Sequence, residues 1–200
     1  MLRTEVKIRT NRILFKWLCD KLPVRYLYRP SSITELATMS LEMKELLDTI
    51  PQTGTVNWIG VRPDRDVPVE SLESVEVCLE NGLVGDRFAG KAGAKRQVTL
   101  IQQEHIPVIQ AILGCDEIKP ETLRRNILVS GINLMSLKDK KFSIGGVVLL
   151  GTGNCPPCSK MEVALGAGGY NAMRGHGGLT CSVVTAGKIS IGDKVKLLVD

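Results

Sequence analysis

The sequence predicts a mainly β (α+β) protein: a β-barrel with a few inserted helices, preceded by a helical N-terminal extension. From Gly54 onward, short segments rich in Val and Ile alternate with turn residues. Helical periodicity dominates only the first 53 residues and two short later segments. The 20 glycines in 200 residues favour tight turns over a helical bundle. Many short strands with few helices are typical of a barrel rather than of a doubly wound sheet.

Residues 1–53 form the predicted basic, helical extension. The first 30 residues hold eight Lys and Arg against two acids, a charge of +6, so residues 31–200 carry −1 of the net +5. The segment NRILFKWLCDKL places apolar side chains on one helical face, and Ser32 and Glu35 begin a second helix that continues to Pro51. We expect the first helix to dock on the barrel. The alternative is peripheral contact of residues 1–30 with an anionic membrane or an acidic partner.

The barrel domain is predicted over residues 54–200, and its strands follow one another in order. They are GTVNWIGV, LESVEVCL, RQVTLI, NILVS, FSIGGVVLLG, LTCSVVT and ISIGDKVKLLV. FSIGGVVLL and ISIGDKVKLL resemble each other, and each predicts a strand, a tight turn and a second strand. The segments QEHIPVIQAIL and KPETLRR predict the main helices, with Pro107 in the first turn of the former.

Composition argues against several classes of protein. An aromatic content of 4% is too low for a surface that stacks on bases, so we expect no nucleic-acid partner. The longest apolar runs are only a few residues, so we expect neither a transmembrane segment nor a secretory leader. Six scattered cysteines in a chain of this length do not make a disulfide scaffold, so we expect a cytoplasmic protein with free thiols.

The segment CPPC, from Cys155 to Cys158, has a spacing that can bind zinc, shuttle electrons or form a disulfide. Structural zinc needs four ligands, and the chain has two histidines and no second C-x-x-C pair, so we expect no structural zinc. A redox dithiol stays open, although its usual parallel α/β setting is missing, and so does a rigid Pro-Pro turn without chemistry. A further alternative is one thiolate on a soft or high-valent metal whose other ligands come from a chelating cofactor.

Basic residues beside glycine turns supply the guanidinium forks and free backbone N–H groups that a phosphate-bearing cofactor needs. The candidates are Arg87 in GLVGDRF, Arg96 in GKAGAKRQ, Arg124, Arg125 and Asn126 in ETLRRN, and Arg174 and His176 in GAGGYNAMRGHGG. The glycine-rich segment fits neither a dinucleotide fingerprint, which needs a βαβ setting, nor a Walker loop. Polar residues between glycines, such as Arg174 and His176, are typical of a ligand rim.

Five segments in order closely resemble a bacterial MOSC domain, over roughly residues 54–200. They are GLVGDRF, RQVTLI, LRRNILVSGINL, LLGTGNCPPCSKMEVALGAGGYNAMRGHGGL and ISIGDKVKL. The family name denotes the C-terminal domain of molybdenum-cofactor sulfurase. The resemblance implies a barrel-like fold that binds the molybdenum cofactor, a molybdopterin ending in phosphate. The family's characteristic cysteine falls on Cys158, which would either ligate molybdenum or carry persulfide sulfur.

By this resemblance we expect a reductase of N-hydroxylated or N-oxygenated small molecules that works with a redox partner. Cys158 would be the thiolate on the metal and His176 a proton donor. The residues that would hold the pterin and phosphate are Arg87, Arg96, Arg124, Arg125 and Arg174, ordered by Asn126. The alternative is a non-catalytic sulfur carrier or cofactor chaperone, supplied by a separate pyridoxal-phosphate-dependent cysteine desulfurase. The family often has histidine where this chain has Phe88 and Pro156, which removes polar groups from the expected site.

Overall fold

The computed structural model describes residues 43–198, and the chain divides into two units, Met1–Asp48 and Thr49–Asp200. The described part of the first unit contains the helix α1 (Met43–Asp48), which lies within the second helix that the sequence predicts. The predicted first helix, the basic arm of residues 1–30 and the capping box at Ser32 lie outside the described residues. The domain boundary after residue 53 therefore stays a prediction.

The second unit consists mainly of strands. They are β1 (Gly54–Val61), β2 (Glu70–Leu72), β3 (Ser74–Cys78), β4 (Gly82–Leu83), β5 (Val98–Gln102), β6 (Ile127–Ser130), β7 (Lys141–Ile144), β8 (Val147–Asn154), β9 (Leu179–Thr185), β10 (Gly187–Ser190) and β11 (Lys194–Leu197). The helices are α2 (His105–Leu113), α3 (Ser159–Leu165) and α4 (Gly169–Ala172), with 3₁₀ helices at Pro120–Leu123 and Leu134–Leu137. Across residues 43–198, no helix has the length and apolarity needed to cross a membrane.

Seven strands of the described chain close into a mixed barrel, in the order β11–β7–β8–β9–β5–β6–β1. The ring closes where β1 pairs with β11, with Gly54 opposite Val195. β5 and β6 run parallel because α2 and a 3₁₀ helix lie in the connection between them. β2 extends the sheet beyond β1, and β10, β3 and β4 form a second, three-stranded sheet. The prediction of a mainly β barrel with a few inserted helices is confirmed.

The barrel interior is apolar because alternate side chains of each strand point inward. In β8, Val147 and Leu149 are fully buried, whereas Val148 and Leu150 are partly exposed. The largest fully buried side chains of this core include Phe142, Ile59, Leu83, Leu100, Ile127 and Ile144. Burying each of them stabilises the fold by roughly 1.5–3 kcal/mol. The barrel is therefore the frame on which the surrounding loops are mounted.

A second apolar cluster lies between the outer face of the barrel and the helices. Ile101 of β5 and Leu128 of β6 point away from the barrel interior and into this cluster. They pack with Ile109, Ile118, Leu123, Met161, Ala172 and Met173 from the helical segments. The cluster fixes α3 and α4 against the barrel, and with them the cysteine-containing turn that precedes α3.

Two segments differ from their predictions. KPETLRR forms a short 3₁₀ helix, Pro120–Leu123, which ends because Arg124 adopts the left-handed region at φ +58°. FSIGGVVLL forms the predicted β7–β8 hairpin, but the strands of ISIGDKVKLL do not pair with each other. Their tight turn is present, with the Ser190 amide donating to Asp193 Oδ2 at 2.8 Å. β10 instead joins β3, because β11 is used to close the barrel between β7 and β1.

Candidate functional site

The cysteine turn, residues 155–158, leaves the end of β8 and leads directly into α3. The Cys155 amide donates to the Gly178 carbonyl at 2.8 Å, which ties the turn to the start of β9. Cys155 is 2% exposed, whereas Cys158 is exposed. The two thiols therefore have different surroundings, one inside the protein and one open to solvent.

Arg125 lies behind the cysteine turn and is only 8% exposed. Its Nε donates to the Gly177 carbonyl at 2.7 Å, Nη2 to the Cys155 carbonyl at 3.2 Å and Nη1 to the Leu123 carbonyl at 3.1 Å. Burial lowers the pKa of Arg125, and negative charge on Cys155 opposes that effect. Within residues 43–198 this guanidinium pairs with no carboxylate. Its positive charge is therefore available to an anion or a thiolate nearby.

A pocket of about 200 Å³ lies beside the cysteine turn. The turn forms one wall through Cys155, and the following loop forms another through Tyr170 and Arg174. At Gly178, φ is +90° and an added Cβ would collide with the Leu100 carbonyl oxygen. Only glycine lets the loop pass this close to the barrel wall.

Glu162 of α3 holds the loop that carries Tyr170 and Arg174. Its Oε1 accepts from the Gly168 amide and its Oε2 from the Tyr170 amide, both at 2.8 Å. These two bonds lower the pKa of Glu162, because the ionised carboxylate is the form that accepts them. Glu162 thus couples the helix that follows Cys158 to the opposite wall of the pocket.

Three further arginines, Arg62, Arg87 and Arg124, lie around a polar network that contains Asp86. The Arg62 amide donates to Asp86 Oδ1 at 2.9 Å, and the Arg87 amide donates to the Arg62 carbonyl at 2.8 Å. Burial lowers the pKa of Arg62, and the positive charge of Arg124 lowers it further, against the attraction of Asp86. Its buried Nε has no acceptor among the described residues. Without a ligand, this group carries more positive charge than its acids neutralise.

Asn126 fixes this network to the barrel. Its Oδ1 accepts from the Thr99 amide at 3.1 Å and from Thr99 Oγ1 at 2.7 Å, while its Nδ2 donates to the Gly60 carbonyl and to Asp86 Oδ1, both at 3.3 Å. The side chain uses its bonding capacity within the protein. Asn126 therefore orders the Asp86–Arg87 turn from behind.

The two arginine groups are electrostatically continuous. Arg96 and Arg124 both lower the pKa of Arg125, and Arg124 and Arg87 both lower that of Arg62. We call this series the arginine belt: Arg62, Arg87, Arg96, Arg124 and Arg125. At the cysteine end, Arg96 Nη2 lies 3.5 Å from Cys155 Sγ. The belt therefore runs from the thiols to the end of β1.

His176 has a different environment from the predicted ligand rim. Its ring packs edge-on against that of His105 with centroids 4.9 Å apart, and it is not among the residues that line the pocket. Burial lowers the pKa of His105, and the nearby His176 lowers it further. The Nδ1 atoms of both rings are buried without a partner within the described chain. Proton delivery by His176 stays a prediction.

The structure brings most of the predicted site residues together. Arg96, Arg124 and Arg125 belong to one electrostatic group with Cys158, Arg87 lies at the far end of the belt, and Arg174 lines the pocket. The pocket wall is formed by Cys155, Pro156 and Pro157, and Cys158 lies at their exposed edge.

Sequence reasoning missed four contributors: Arg62, Cys155 as a pocket residue, Tyr170 and Glu162. Arg62 directly follows a predicted strand, a position that could have marked it. Glu162 lies in the first turn of a helix-compatible segment, as carboxylates often do. The contact of Glu162 with the Gly168 and Tyr170 amides arises from the fold of a glycine-rich loop, which has no period to read.

A closed mixed barrel with a cysteine turn and an arginine belt defines a class of anion-binding β-barrel proteins. The MOSC domain model matches residues 87–196, which is more than half of the chain, so the chain belongs to the MOSC domain family.

Solved structures share this fold. The YuaD protein from Bacillus subtilis is 23% identical with a TM-score of 0.64, over 74% of this chain and 98% of that one. YiiM from Geobacillus stearothermophilus is 16% identical with a TM-score of 0.59, over 73% and 75%. YiiM from Escherichia coli is 17% identical with a TM-score of 0.57, over 73% and 70%. At these identities the likeness shows the fold alone. No curated protein matches the sequence.

Proposed function

We propose that this protein binds a molybdenum cofactor along the arginine belt, with Cys158 as the thiolate on the metal, and reduces N-hydroxylated small molecules. The observation that carries the proposal is the buried Arg125 guanidinium, which has no carboxylate partner in the described chain and is raised in pKa by both Cys155 and Cys158. A buried charge of this kind is costly unless an opposite charge or a full set of hydrogen bonds compensates it.

The donor set fits the chemical class of this cofactor. A soft thiol stands at one end, and guanidinium groups suited to phosphate follow along the belt. The unpaired Nε of Arg62 and the mutual repulsion of Arg62 and Arg124 are both relieved by an anion at that end. A pocket of about 200 Å³ is small beside the ~300–1,000 Å³ of typical ligand sites. It therefore suits a small substrate or one end of a longer ligand.

The roles of the chain's own residues follow from these positions. Arg62, Arg87 and Arg124 would bind phosphate, and Arg96 and Arg125 would bind the pterin end and favour the thiolate of Cys158. Arg174 and Tyr170 would position the substrate across the pocket. When bound, the cofactor would supply the electron pair for cleavage of an N–O bond.

An assay with the cofactor-loaded protein tests the enzymatic part of the proposal. Reduced viologen serves as the electron donor and a hydroxylamine-type compound as the substrate. We expect substrate-dependent oxidation of the viologen, and a loss of that rate in Arg174→Glu. The exposed Arg65, outside the belt, supplies the matched control Arg65→Glu, which should retain the rate. A loaded protein that leaves such compounds unreduced would refute the reductase assignment.

A second candidate is sulfur carriage, which the exposure of Cys158 favours. A persulfide carrier needs an accessible thiol in an electropositive setting, and Cys158 has Arg125 close by. Incubation with a cysteine desulfurase and cysteine should then add one sulfur atom to Cys158, seen by mass spectrometry. An unmodified Cys158 would exclude this role.

A further inference from the structure

Cys155 is a buried nucleophile that neither candidate function uses. A metal ligand or a sulfur carrier requires one thiol, and Cys158 supplies it. Cys155 nevertheless lines the pocket, three residues away in the same turn, although it is only 2% exposed. Its backbone is held on both sides, by the Cys155 N–H···O=C bond to Gly178 at 2.8 Å and by Arg125 on its carbonyl.

The sulfur of Cys155 has a cation beside it. Arg96 Nη2 lies 3.5 Å from Cys155 Sγ, which is within hydrogen-bonding range for sulfur. A guanidinium in this position stabilises negative charge on the sulfur, and the thiolate is the attacking form in disulfide chemistry. Both thiols of the turn also interact with the same Arg125 guanidinium. Cys155 and Cys158 therefore share one electropositive environment.

The neighbouring Cys181 does not compete for this role. It is fully buried in the barrel wall, and burial raises the pKa of its thiol well above the usual range. Cys181 therefore stays protonated, whereas Cys155 has a cation and a cavity beside it. Of the thiols that the structure describes, Cys155 is the one suited to act on Cys158.

We propose that Cys155 is the resolving thiol of Cys158: it releases the sulfur that Cys158 carries and forms a Cys155–Cys158 disulfide. This inference rests on the second candidate function, sulfur carriage by Cys158. The Cys155 thiolate attacks the Sγ of the Cys158 persulfide, a sulfur–sulfur bond forms, and the bond to the outer sulfur breaks. The outer sulfur leaves as hydrosulfide with the electron pair of that bond, into the pocket. An external dithiol then reduces the disulfide and is itself oxidised.

The geometry gives this step a direction. C-x-x-C spacing permits a disulfide within one turn. Cys158 is exposed and can receive sulfur from a donor, whereas buried Cys155 is shielded from direct contact with that donor. Sulfur would thus enter at the surface and leave inside, beside Arg174.

The test loads the full-length, fully reduced protein with inorganic polysulfide and removes the excess by gel filtration. The tryptic peptide that ends at Lys160 contains both cysteines, so its mass reports their state after alkylation. For the wild-type protein we expect a Cys155–Cys158 disulfide together with stoichiometric sulfide, measured colorimetrically. In Cys155→Ser, Cys158 should keep one extra sulfur atom and sulfide release should be lost. The exposed Cys115 supplies the control Cys115→Ser, which should behave as wild type.

The outcomes separate this inference from the function beneath it. A stable persulfide on Cys158 of the wild-type protein overturns the resolving role and leaves sulfur carriage intact. Absence of sulfur from Cys158 in Cys155→Ser defeats sulfur carriage and the resolving role together. Sulfur on Cys155 of Cys158→Ser reverses the assigned roles. If Cys155→Ser is poorly folded, Cys155→Ala and the wild-type peptide map give the same decision.

Discussion

At the scale of the residue, Arg125 does the most to assemble the site. Its three N–H groups bond to carbonyls from three separate segments, those of Leu123, Cys155 and Gly177. One side chain therefore holds the cysteine turn and the end of the glycine-rich loop at a fixed separation. The same side chain brings a positive charge next to the thiols, so its structural and chemical roles are combined.

Replacing Arg125 by Lys should separate geometry from charge. An ammonium group keeps the charge but lacks the planar fork, so we expect about two of the three hydrogen bonds to be lost. At about 1 kcal/mol for each bond, the free energy of unfolding should fall by roughly 2 kcal/mol in urea denaturation. The matched control is Arg65→Lys at an exposed position, which should change it by less than about 0.5 kcal/mol. Equal stability of Arg125→Lys and wild type would contradict the clamp.

At the scale of the element, α3 and α4 act as one unit because Glu162 joins them. Its carboxylate accepts the amides of Gly168 and Tyr170, and this fixes the turn that leads to Arg174. The apolar cluster beneath, with Met161 and Met173, holds the unit against the barrel. The pocket wall therefore depends on one exposed carboxylate above and on apolar packing below.

Glu162→Gln should loosen the glycine-rich loop. The pKa of Glu162 is lowered in the folded protein, so its contribution is complete above the usual carboxyl range, about pH 4, and is lost as the pH falls through the folded-state pKa. Hydrogen exchange should show weaker protection of the Gly168 and Tyr170 amides in Glu162→Gln at neutral pH. The wild-type protein should approach that level on acidification. Exposed Glu117→Gln is the control, and unchanged protection in Glu162→Gln would contradict the pinning role.

At the scale of the whole molecule, the barrel closes within the second unit. β1 and β11 complete the ring, and both lie in Thr49–Asp200. We therefore expect a fragment that begins at Thr49 to unfold cooperatively within roughly 4 °C of the full-length midpoint, a shift equivalent to about 1 kcal/mol. Thermal unfolding followed by circular dichroism measures this. Loss of the cooperative transition would show that the first unit is needed for closure.

Much of the fold follows from local sequence patterns, whereas parts of the site depend on closure. GTVNWIGV predicts β1 residue for residue, because alternating β-branched residues between turn residues have few other uses. Arg62, Arg87 and Arg124 are far apart in sequence and meet only because β1, the Asp86 turn and a 3₁₀ helix converge on the closed barrel. His105 and His176 pair for the same reason. The different burial of Cys155 and Cys158 follows from the direction of one turn, which two prolines alone do not specify.

The most direct measurement is the molybdenum and pterin content of the protein purified from a host that makes the cofactor. We expect molybdenum and pterin in the wild-type protein and in the control Cys115→Ser. Cys158→Ser should lose the molybdenum, and Cys155→Ser should keep most of it, because the proposed ligand is Cys158 alone. Wild-type protein free of both, or equal molybdenum in Cys158→Ser and wild type, would contradict the account.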